Sequence, residues 1–152
     1  VEGKRNIYLA SGCIKVSKEQ FGQHLKQIFE GLTEIIATYH PAEVGIEQIF
    51  MHRNPNSAIK LGEARGVAIV AASVHSLPIA EYSARQIKQS VVGYGAANKD
   101  QVQHMVKYLL QLSGVPQSDA ADALAVALCH AHSRSSFTQL TQRKRIKRGR
   151  LQ

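Results

Sequence analysis

The segment VGIEQIF, residues 44–50, decides the fold. It is a short run of β-branched and apolar residues, interrupted by one acid, Glu47, and followed by the polar residues 51–56. Such a run is typical of a buried strand, and residues 78–82 suggest another. Between the two, residues 57–75 are rich in Ala, Val and Ile and predict a helix. Strand, helix and strand in this order predict an α/β fold.

The alternation extends in both directions along the chain. Residues 7–16 predict a strand that Gly12 weakens. Residues 21–39 carry apolar side chains at three- and four-residue steps, which predicts an amphipathic helix that ends before Pro41. Three more helices are predicted, over residues 84–92, 100–112 and 118–132. Beyond Ser133 the apolar periodicity stops.

The composition is typical of one soluble, basic domain. The chain has 152 residues and a formal charge of +8, which favours a polyanionic partner without separating DNA from RNA or from an anionic membrane. No apolar run is long enough to span a bilayer, and the first residues lack a signal-peptide pattern. Cys13 and Cys129 fit no metal-ligand spacing, and we expect both to be buried, reduced thiols.

Three acids are candidates for metal-dependent chemistry. Glu47 lies in an apolar strand, where an unpaired carboxylate is costly to bury, so it either ends the strand as an ordinary acid or binds a cation. Asp119 and Asp122 share one face at the start of the last helix, where they either stabilise the helix dipole or hold a metal. If the three converge, they favour magnesium or manganese over zinc and suit phosphodiester hydrolysis.

Other polar and aromatic residues each have two interpretations. Lys88 and Lys99 are either solvated or contact phosphate. Phe50 either belongs to the core or is exposed and stacks on an unpaired base. His130 and His132 are two residues apart on a helix, which argues against a shared metal and leaves a single histidine as a proton carrier.

Two glycines, Gly62 and Gly66, interrupt the helix predicted over residues 57–75. Each lowers helix propensity by about 1 kcal/mol relative to alanine. Small residues let another backbone approach closely, so they indicate either a dimer contact or tight packing inside the monomer.

The end of the chain is strongly basic. Residues 143–150 read RKRIKRGR, and such runs are usually solvated and disordered. We expect residues 1–133 to form the domain and residues 134–152 to form a disordered tail that contacts phosphates. The tail residues that we expect to make these phosphate contacts are Arg143, Lys144, Arg145, Lys147 and Arg148.

Five segments together resemble the RuvC family of Holliday-junction resolvases. They are GIEQIF (45–50), SAIKLGEARGVAIVAA (57–72), EYSARQIKQSVV (81–92), KDQVQHMV (99–106) and SDAADALAVAL (118–128). The resemblance runs in order, with few length changes, from residue 7 to residue 132.

The resemblance implies a ribonuclease-H-like fold, in which helices flank a mixed five-stranded sheet, and a homodimer. It also implies an endonuclease that makes paired symmetric nicks in four-way DNA junctions during recombination and repair. Two magnesium ions per subunit, for which manganese can substitute, would assist the hydrolysis. The implied partners are junction DNA and the RuvA and RuvB branch-migration proteins, and the implied location is the bacterial cytoplasm, at the nucleoid.

The resemblance assigns roles to particular residues. The metal-binding acids of the family correspond to Glu47, Asp119 and Asp122. The lysines beside the scissile phosphate correspond to Lys88 and Lys99. The aromatic wedge at the junction centre corresponds to Phe50.

The chain departs from the family pattern at its start. The family begins with a strand that carries Gly-Ile-Asp-Pro-Gly, whose aspartate is the fourth acid, and neither that strand nor the next has a counterpart here. We therefore expect the first two strands of the sheet to be missing, which leaves interior strand edges unpaired. From this we expect that the 152-residue chain folds poorly alone and is inactive.

Two other functions stay open. A non-catalytic module that binds branched DNA would need only the basic charge, and a related nuclease would act on RNA. Magnesium-dependent nicking of a four-way DNA junction, compared with linear duplex and with an RNA junction, separates the three.

Overall fold

In the computed structural model, the segment that decides the fold contains a short strand paired in parallel with a second one. Along the described residues the elements are α1 (Gln23–Tyr39), β1 (Val44–Glu47), α2 (Pro55–Val74), β2 (Ile79–Tyr82), α3 (Ala84–Val92), α4 (Lys99–Leu110) and α5 (Ser118–Arg148). The structure describes residues 5–17, 20, 22–50 and 54–148, with side chains in α5 as far as Arg134.

The two strands form a β–α–β arrangement. In the parallel register Val44 faces Ile79 and Glu47 faces Tyr82. Parallel neighbours cannot be joined by a tight turn, and α2 supplies the long crossover between them. The predicted α/β fold is confirmed. Because the described sheet has two strands, the five-stranded sheet stays a prediction.

The chain divides into two compact units. Ser11–Ser83 form the first, which we call the sheet unit because it contains β1 and β2. The residues before and after that segment form the second, which we call the helical unit. Each is described by itself, so the prediction of one domain over residues 1–133 stays a prediction.

Local capping explains where the helices of the sheet unit begin and end. Helix α1 ends at Tyr39, as predicted, because His40 adopts a left-handed conformation (φ 46°) immediately before Pro41. Helix α2 begins at Pro55, two residues earlier than predicted. The Asn54 side chain caps it by accepting hydrogen bonds from the backbone N–H groups of Asn56 and Ser57, at 3.1 and 3.4 Å. Proline suits the first helical position because it has no N–H to satisfy.

The strand predicted over residues 7–16 is wrong, because the structure leaves this segment irregular. In the sheet unit, the methyl groups of Ile14 lie over Gly31 of α1. The Ser17 N–H donates to the Gln27 side chain over 2.7 Å. These contacts join the segment to a helix, and no backbone ladder forms among the described residues. An apolar pattern makes a strand only when a neighbouring strand pairs with its backbone.

Three helices, α3, α4 and α5, pack together in the helical unit. Their core is made of small and medium apolar side chains, among them Ile87, Val91, Val102, Val106, Leu124 and Leu128, all under a tenth exposed. Helix α3 has the predicted bounds. Helix α4 begins one residue earlier than predicted, at Lys99, and ends at Leu110, two residues earlier, because Gln111 turns left-handed (φ 53°).

Helix α5 extends well beyond its predicted end. The sequence predicted a disordered tail from residue 134, whereas the helical backbone continues to Arg148. The segment 134–148 contains neither glycine nor proline and is rich in Arg, Lys and Gln, which are good helix formers. Periodic apolar residues, which indicate a packed helix, stop at Ser133. Residues with high helix propensity continue beyond it.

Two further predictions concern the thiols and the membrane. Cys129 is buried as predicted, but the prediction for Cys13 is wrong, because its side chain is exposed in the irregular segment before α1. No helix in the described part of the chain combines the length and the hydropathy needed to cross a bilayer.

Candidate functional site

Glu47 ends strand β1 and is exposed. An acid in an apolar run is costly to bury, and the structure avoids that cost by ending the strand at this residue. Because the two strands are parallel, Glu47 lies at the same edge as Tyr82, the last residue of β2. Ligands of parallel sheets bind outside the carboxyl ends of the strands. Glu47 therefore stands at the edge of the sheet where a ligand is expected.

An arginine from helix α2 joins the two strand ends. The Nη2 atom of Arg65 lies 2.7 Å from Oε1 of Glu81. Its Nε–H donates to the backbone carbonyl of Glu47 over 3.3 Å. The hydrogen bond and the positive charge of Arg65, with a further hydrogen bond from Gln48, hold the pKa of the Glu81 carboxyl below its usual value. The carboxyl end of this sheet is thus held by a polar network.

The sequence interpretation missed this network. Its signal was a single arginine in a helix otherwise rich in small and apolar residues, together with an acid, Glu81, in the short second strand. A charged residue on an apolar helix face usually has a partner. The identity of that partner depends on the register of the strands, which the sequence alone does not reveal.

Phe50 follows the same strand end, and its side chain is 73% exposed. This excludes the core interpretation, because a core residue would be buried, whereas stacking on a base stays a prediction. An open pocket of about 410 Å³ adjoins Phe50 and is lined by Gln48, Ile49, Gly62, Arg65, Gly66 and Glu81. An exposed aromatic ring beside an open pocket can stack on a flat, apolar group such as a nucleobase.

The two aspartates lie at the start of α5, as predicted. Asp119 is exposed in the first turn, and Asp122, one turn later, is about half exposed. The Nζ atom of Lys99 lies 3.2 Å from Oδ2 of Asp122. Lys99 holds this place because Asn98 and Gln101 form a capping box that starts α4 at Lys99. The structure therefore brings together two of the predicted site residues, Lys99 and Asp122.

Lys88 lies in the middle of α3 and is partly buried. Two residues later, the Ser90 hydroxyl lies 3.0 Å from Nδ1 of His132 on α5. Cys129, one turn before His132, is buried, and this burial raises the pKa of its thiol, although hydrogen bonds with Ser90 and Ser133 act in the opposite direction. These polar contacts accompany the packing of α3 against α5.

The basic residues of the predicted tail belong to the last part of α5. Their backbone is helical, but their side chains lie outside the described residues. They are Arg143, Lys144, Arg145, Lys147 and Arg148. Their contact with DNA stays a prediction.

The three candidate metal ligands are divided between the units. Glu47 belongs to the sheet unit, whereas Asp119 and Asp122 belong to the helical unit. Among the described residues of each unit taken by itself, His, Cys, Asp and Glu side chains do not gather in threes that could hold a metal ion. The predicted convergence of the three acids therefore stays a prediction.

Comparisons with known proteins agree over most of the chain. Residues 1–130 match the family model for the crossover junction endodeoxyribonuclease RuvC. A protein of that name from Legionella pneumophila (strain Lens) is 58% identical over 152 residues, which are 99% of this chain and 87% of the relative. A second, from Shewanella sp. (strain W3-18-1), is 58% identical over 142 residues, or 93% of this chain and 82% of the relative.

Two solved structures have a similar fold. Thermus thermophilus RuvC in complex with a Holliday junction substrate aligns with a TM-score of 0.82 and 34% identity, over 90% of this chain and 85% of the other. A second Thermus thermophilus RuvC structure aligns with a TM-score of 0.79, also at 34% identity, over 90% of this chain and 86% of the other. The chain therefore belongs to the RuvC family of crossover junction endodeoxyribonucleases.

Proposed function

We propose that this protein resolves Holliday junctions, as a structure-specific endonuclease that makes paired symmetric nicks in four-way DNA during recombination and repair. The observation that carries the proposal is its family membership, which extends over nearly the whole chain. The net charge of +8 fits a DNA substrate, since neutralising phosphates supplies most of the affinity of such proteins.

The proposed catalytic acids are Glu47, Asp119 and Asp122, which would hold two magnesium ions per subunit, with manganese as a substitute. Their chemistry fits these hard cations, which prefer carboxylate oxygens and water. All three are at least partly accessible, and the Asp122 carboxylate already attracts a cation, the Lys99 ammonium, at 3.2 Å. When bound, such ions supply an activated water and stabilise the leaving oxygen.

The basic residues would bind and orient the DNA. Lys88 and Lys99 would neutralise the scissile phosphate, and Lys99 stands beside one of the proposed acids. The exposed ring of Phe50 would stack at the centre of the junction. The basic end of α5 would add phosphate contacts that give affinity but no sequence preference.

The protein would act as a homodimer, because a four-way junction presents two equivalent strands. Helix α2 supports this proposal. A side-chain carbon added at Gly62 or Gly66 would meet nothing within 4 Å, so these glycines are not needed for tight packing inside the described monomer. The same helix exposes more than half of several large apolar side chains, namely Ile59, Leu61, Val70 and Val74. A second subunit would cover such a surface.

The remaining proposals follow from the family. The two described strands would belong to a ribonuclease-H-like mixed sheet of five strands. The protein would work in the bacterial cytoplasm, at the nucleoid, with the RuvA and RuvB branch-migration proteins.

The decisive experiment is a nicking assay on synthetic substrates. The protein, joined to the first two strands of the family with their Gly-Ile-Asp-Pro-Gly aspartate, is incubated with a labelled four-way DNA junction, a linear duplex of the same sequence and an RNA junction, with magnesium or with a chelator. We expect magnesium-dependent, symmetric nicks in the DNA junction alone. Tight junction binding without nicking would instead show a non-catalytic binding module, and cleavage of the RNA junction would show a ribonuclease.

A further inference from the structure

The arginine of the polar network, Arg65, makes two different contacts with the end of the sheet. Its side chain is only 23% exposed, although it carries a full charge. One nitrogen pairs with the Glu81 carboxylate at 2.7 Å, and another donates to the main-chain carbonyl of Glu47 at 3.3 Å. The guanidinium therefore contacts both strands. It can do so because its N–H donors lie in one plane and point in different directions, so that one side chain reaches two acceptors.

The main chain is held on both sides of the Glu47 side chain. The Glu47 carbonyl accepts from Arg65. The next N–H, that of Gln48, donates to the carbonyl of Tyr82 over 2.9 Å, which continues the ladder one step beyond the strand. The Gln48 side chain also contributes a hydrogen bond to Glu81. In a strand the backbone determines which way each side chain points, so this network sets the direction of the Glu47 carboxylate.

We propose that Arg65 is a positioning residue for Glu47: it acts through the Glu47 main chain and contacts neither the DNA nor a metal ion. This inference rests on the proposed function, in which Glu47 is a metal ligand. Groups that orient a metal ligand typically contribute about 10–100-fold to metal affinity or activity. An ion pair with Glu81 alone would not predict this effect, because ion pairs with a half-exposed partner contribute little.

Three variants separate positioning from a merely structural role. Arg65→Met keeps most of the apolar stem but removes both contacts. Arg65→Lys keeps the charge but cannot span both acceptors with one planar fork. Glu81→Gln weakens the ion pair and leaves the contact with the Glu47 carbonyl. For each variant the measurements are the magnesium concentration for half-maximal nicking, binding of Mn²⁺ to the protein alone by electron paramagnetic resonance, junction Kd and thermal stability.

We expect Arg65→Met to raise the half-maximal magnesium concentration and to weaken Mn²⁺ binding by about 10–100-fold, with junction Kd within about threefold of the unmodified protein. Arg65→Lys should recover part of this loss, and Glu81→Gln should change metal dependence by less than Arg65→Met. If Arg65→Met fails to fold, the comparison of Arg65→Lys with Glu81→Gln still decides the question, because the lysine variant must then show the larger metal effect.

Three results would overturn the inference. The first is unchanged metal dependence and Mn²⁺ binding in a folded Arg65→Met protein. The second is a large loss of junction affinity, which would make Arg65 a direct DNA contact. The third is an effect of Glu81→Gln as large as that of Arg65→Met. If the unmodified protein does not nick the junction, the proposed function fails, whereas the Mn²⁺ measurement on the protein alone still tests Arg65.

Discussion

The Lys99 ammonium lies 3.2 Å from the Asp122 carboxylate, and the two side chains belong to different helices of one unit. The lysine starts α4 and the aspartate lies in the second turn of α5. Both side chains are about half exposed, so this pair contributes little to stability. Lys99, which we propose neutralises the scissile phosphate, therefore lies beside an acid that we propose binds a metal ion.

Replacing Lys99 by methionine should slow nicking of the junction by at least about 100-fold, because it removes the charge that we propose stabilises the phosphate in the transition state. Junction affinity should change by less than about tenfold, since the change leaves the rest of the chain's 19 Lys and Arg residues in place. Lys107→Gln is the matched control, because it removes the same charge from the other end of α4. The measurements are single-turnover nicking rates and junction Kd. Equal losses of nicking rate in the Lys99 and Lys107 variants would contradict a special role for Lys99.

Replacing Asp119 by asparagine should abolish nicking and leave junction binding intact, because the change removes a proposed metal ligand but no positive charge. Asp100→Asn is the control, since Asp100 occupies the first turn of α4 as Asp119 occupies that of α5. The control should nick at the normal rate. Loss of binding with retained nicking in Asp119→Asn would overturn the assignment.

Replacing Phe50 by alanine should weaken binding at the junction centre by about 1–3 kcal/mol if the ring stacks on one base. Because the ring is 73% exposed, its removal should change stability by only about 0.5 kcal/mol or less. Tyr108→Ala is the control, as Tyr108 is a 76% exposed aromatic residue. Junction Kd and urea unfolding measure the two effects. A large drop in stability with unchanged junction affinity would contradict the proposed stacking role of Phe50.

Local features of the sequence predicted the helices well. The end of α1 before Pro41 and the bounds of α3 follow from residues adjacent in the chain. The start of α2 was predicted two residues too late, and the reason is again local. Asn54 and Pro55 look like loop residues in the sequence, but the Asn54 side chain caps the helix and Pro55 is its first residue. The end of α5 was not predicted for a different reason. An exposed helical segment has no periodic apolar residues, so the pattern that indicates packed helices does not detect it.

Features that depend on distant residues were predicted poorly. The strand over residues 7–16 needed a pairing partner, which no local pattern supplies. Arg65 and Glu81 are paired because the crossover helix and the strand register place them together. A strand end was one of the positions that the sequence left open for Glu47, since burial of an unpaired acid is costly. The predicted strand ran on to Phe50, however, and the network behind Glu47 was not predicted.

Neutralising the basic end of α5 should weaken the salt dependence of junction binding. The change replaces Arg143, Lys144, Arg145, Lys147 and Arg148 by glutamine. The slope of log affinity against log salt should fall by about 0.9 for each phosphate that the variant no longer neutralises. At low salt and saturating protein the nicking rate should be normal, because the acids are untouched. Lys26→Gln, which removes a lysine paired with Glu30 on α1, is the control, and an unchanged slope in the fivefold variant would exclude the end of α5 from the DNA interface.

The ion pair between Arg65 and Glu81 should make stability depend on pH in the acid range. The arginine lowers the pKa of Glu81 in the folded protein, so the folded state favours the ionised carboxylate. This stability is present above the ordinary pKa of glutamic acid and is lost as the pH falls through the lowered value. The Tm of the unmodified protein should therefore exceed that of Glu81→Gln at neutral pH, and the difference should shrink below the ordinary pKa.

Since Glu81 is about half exposed, high salt should reduce the difference at neutral pH. The measurement is thermal unfolding of both proteins from neutral pH to below the ordinary pKa of glutamic acid. A Tm difference that grows on acidification would contradict the ion pair between Arg65 and Glu81.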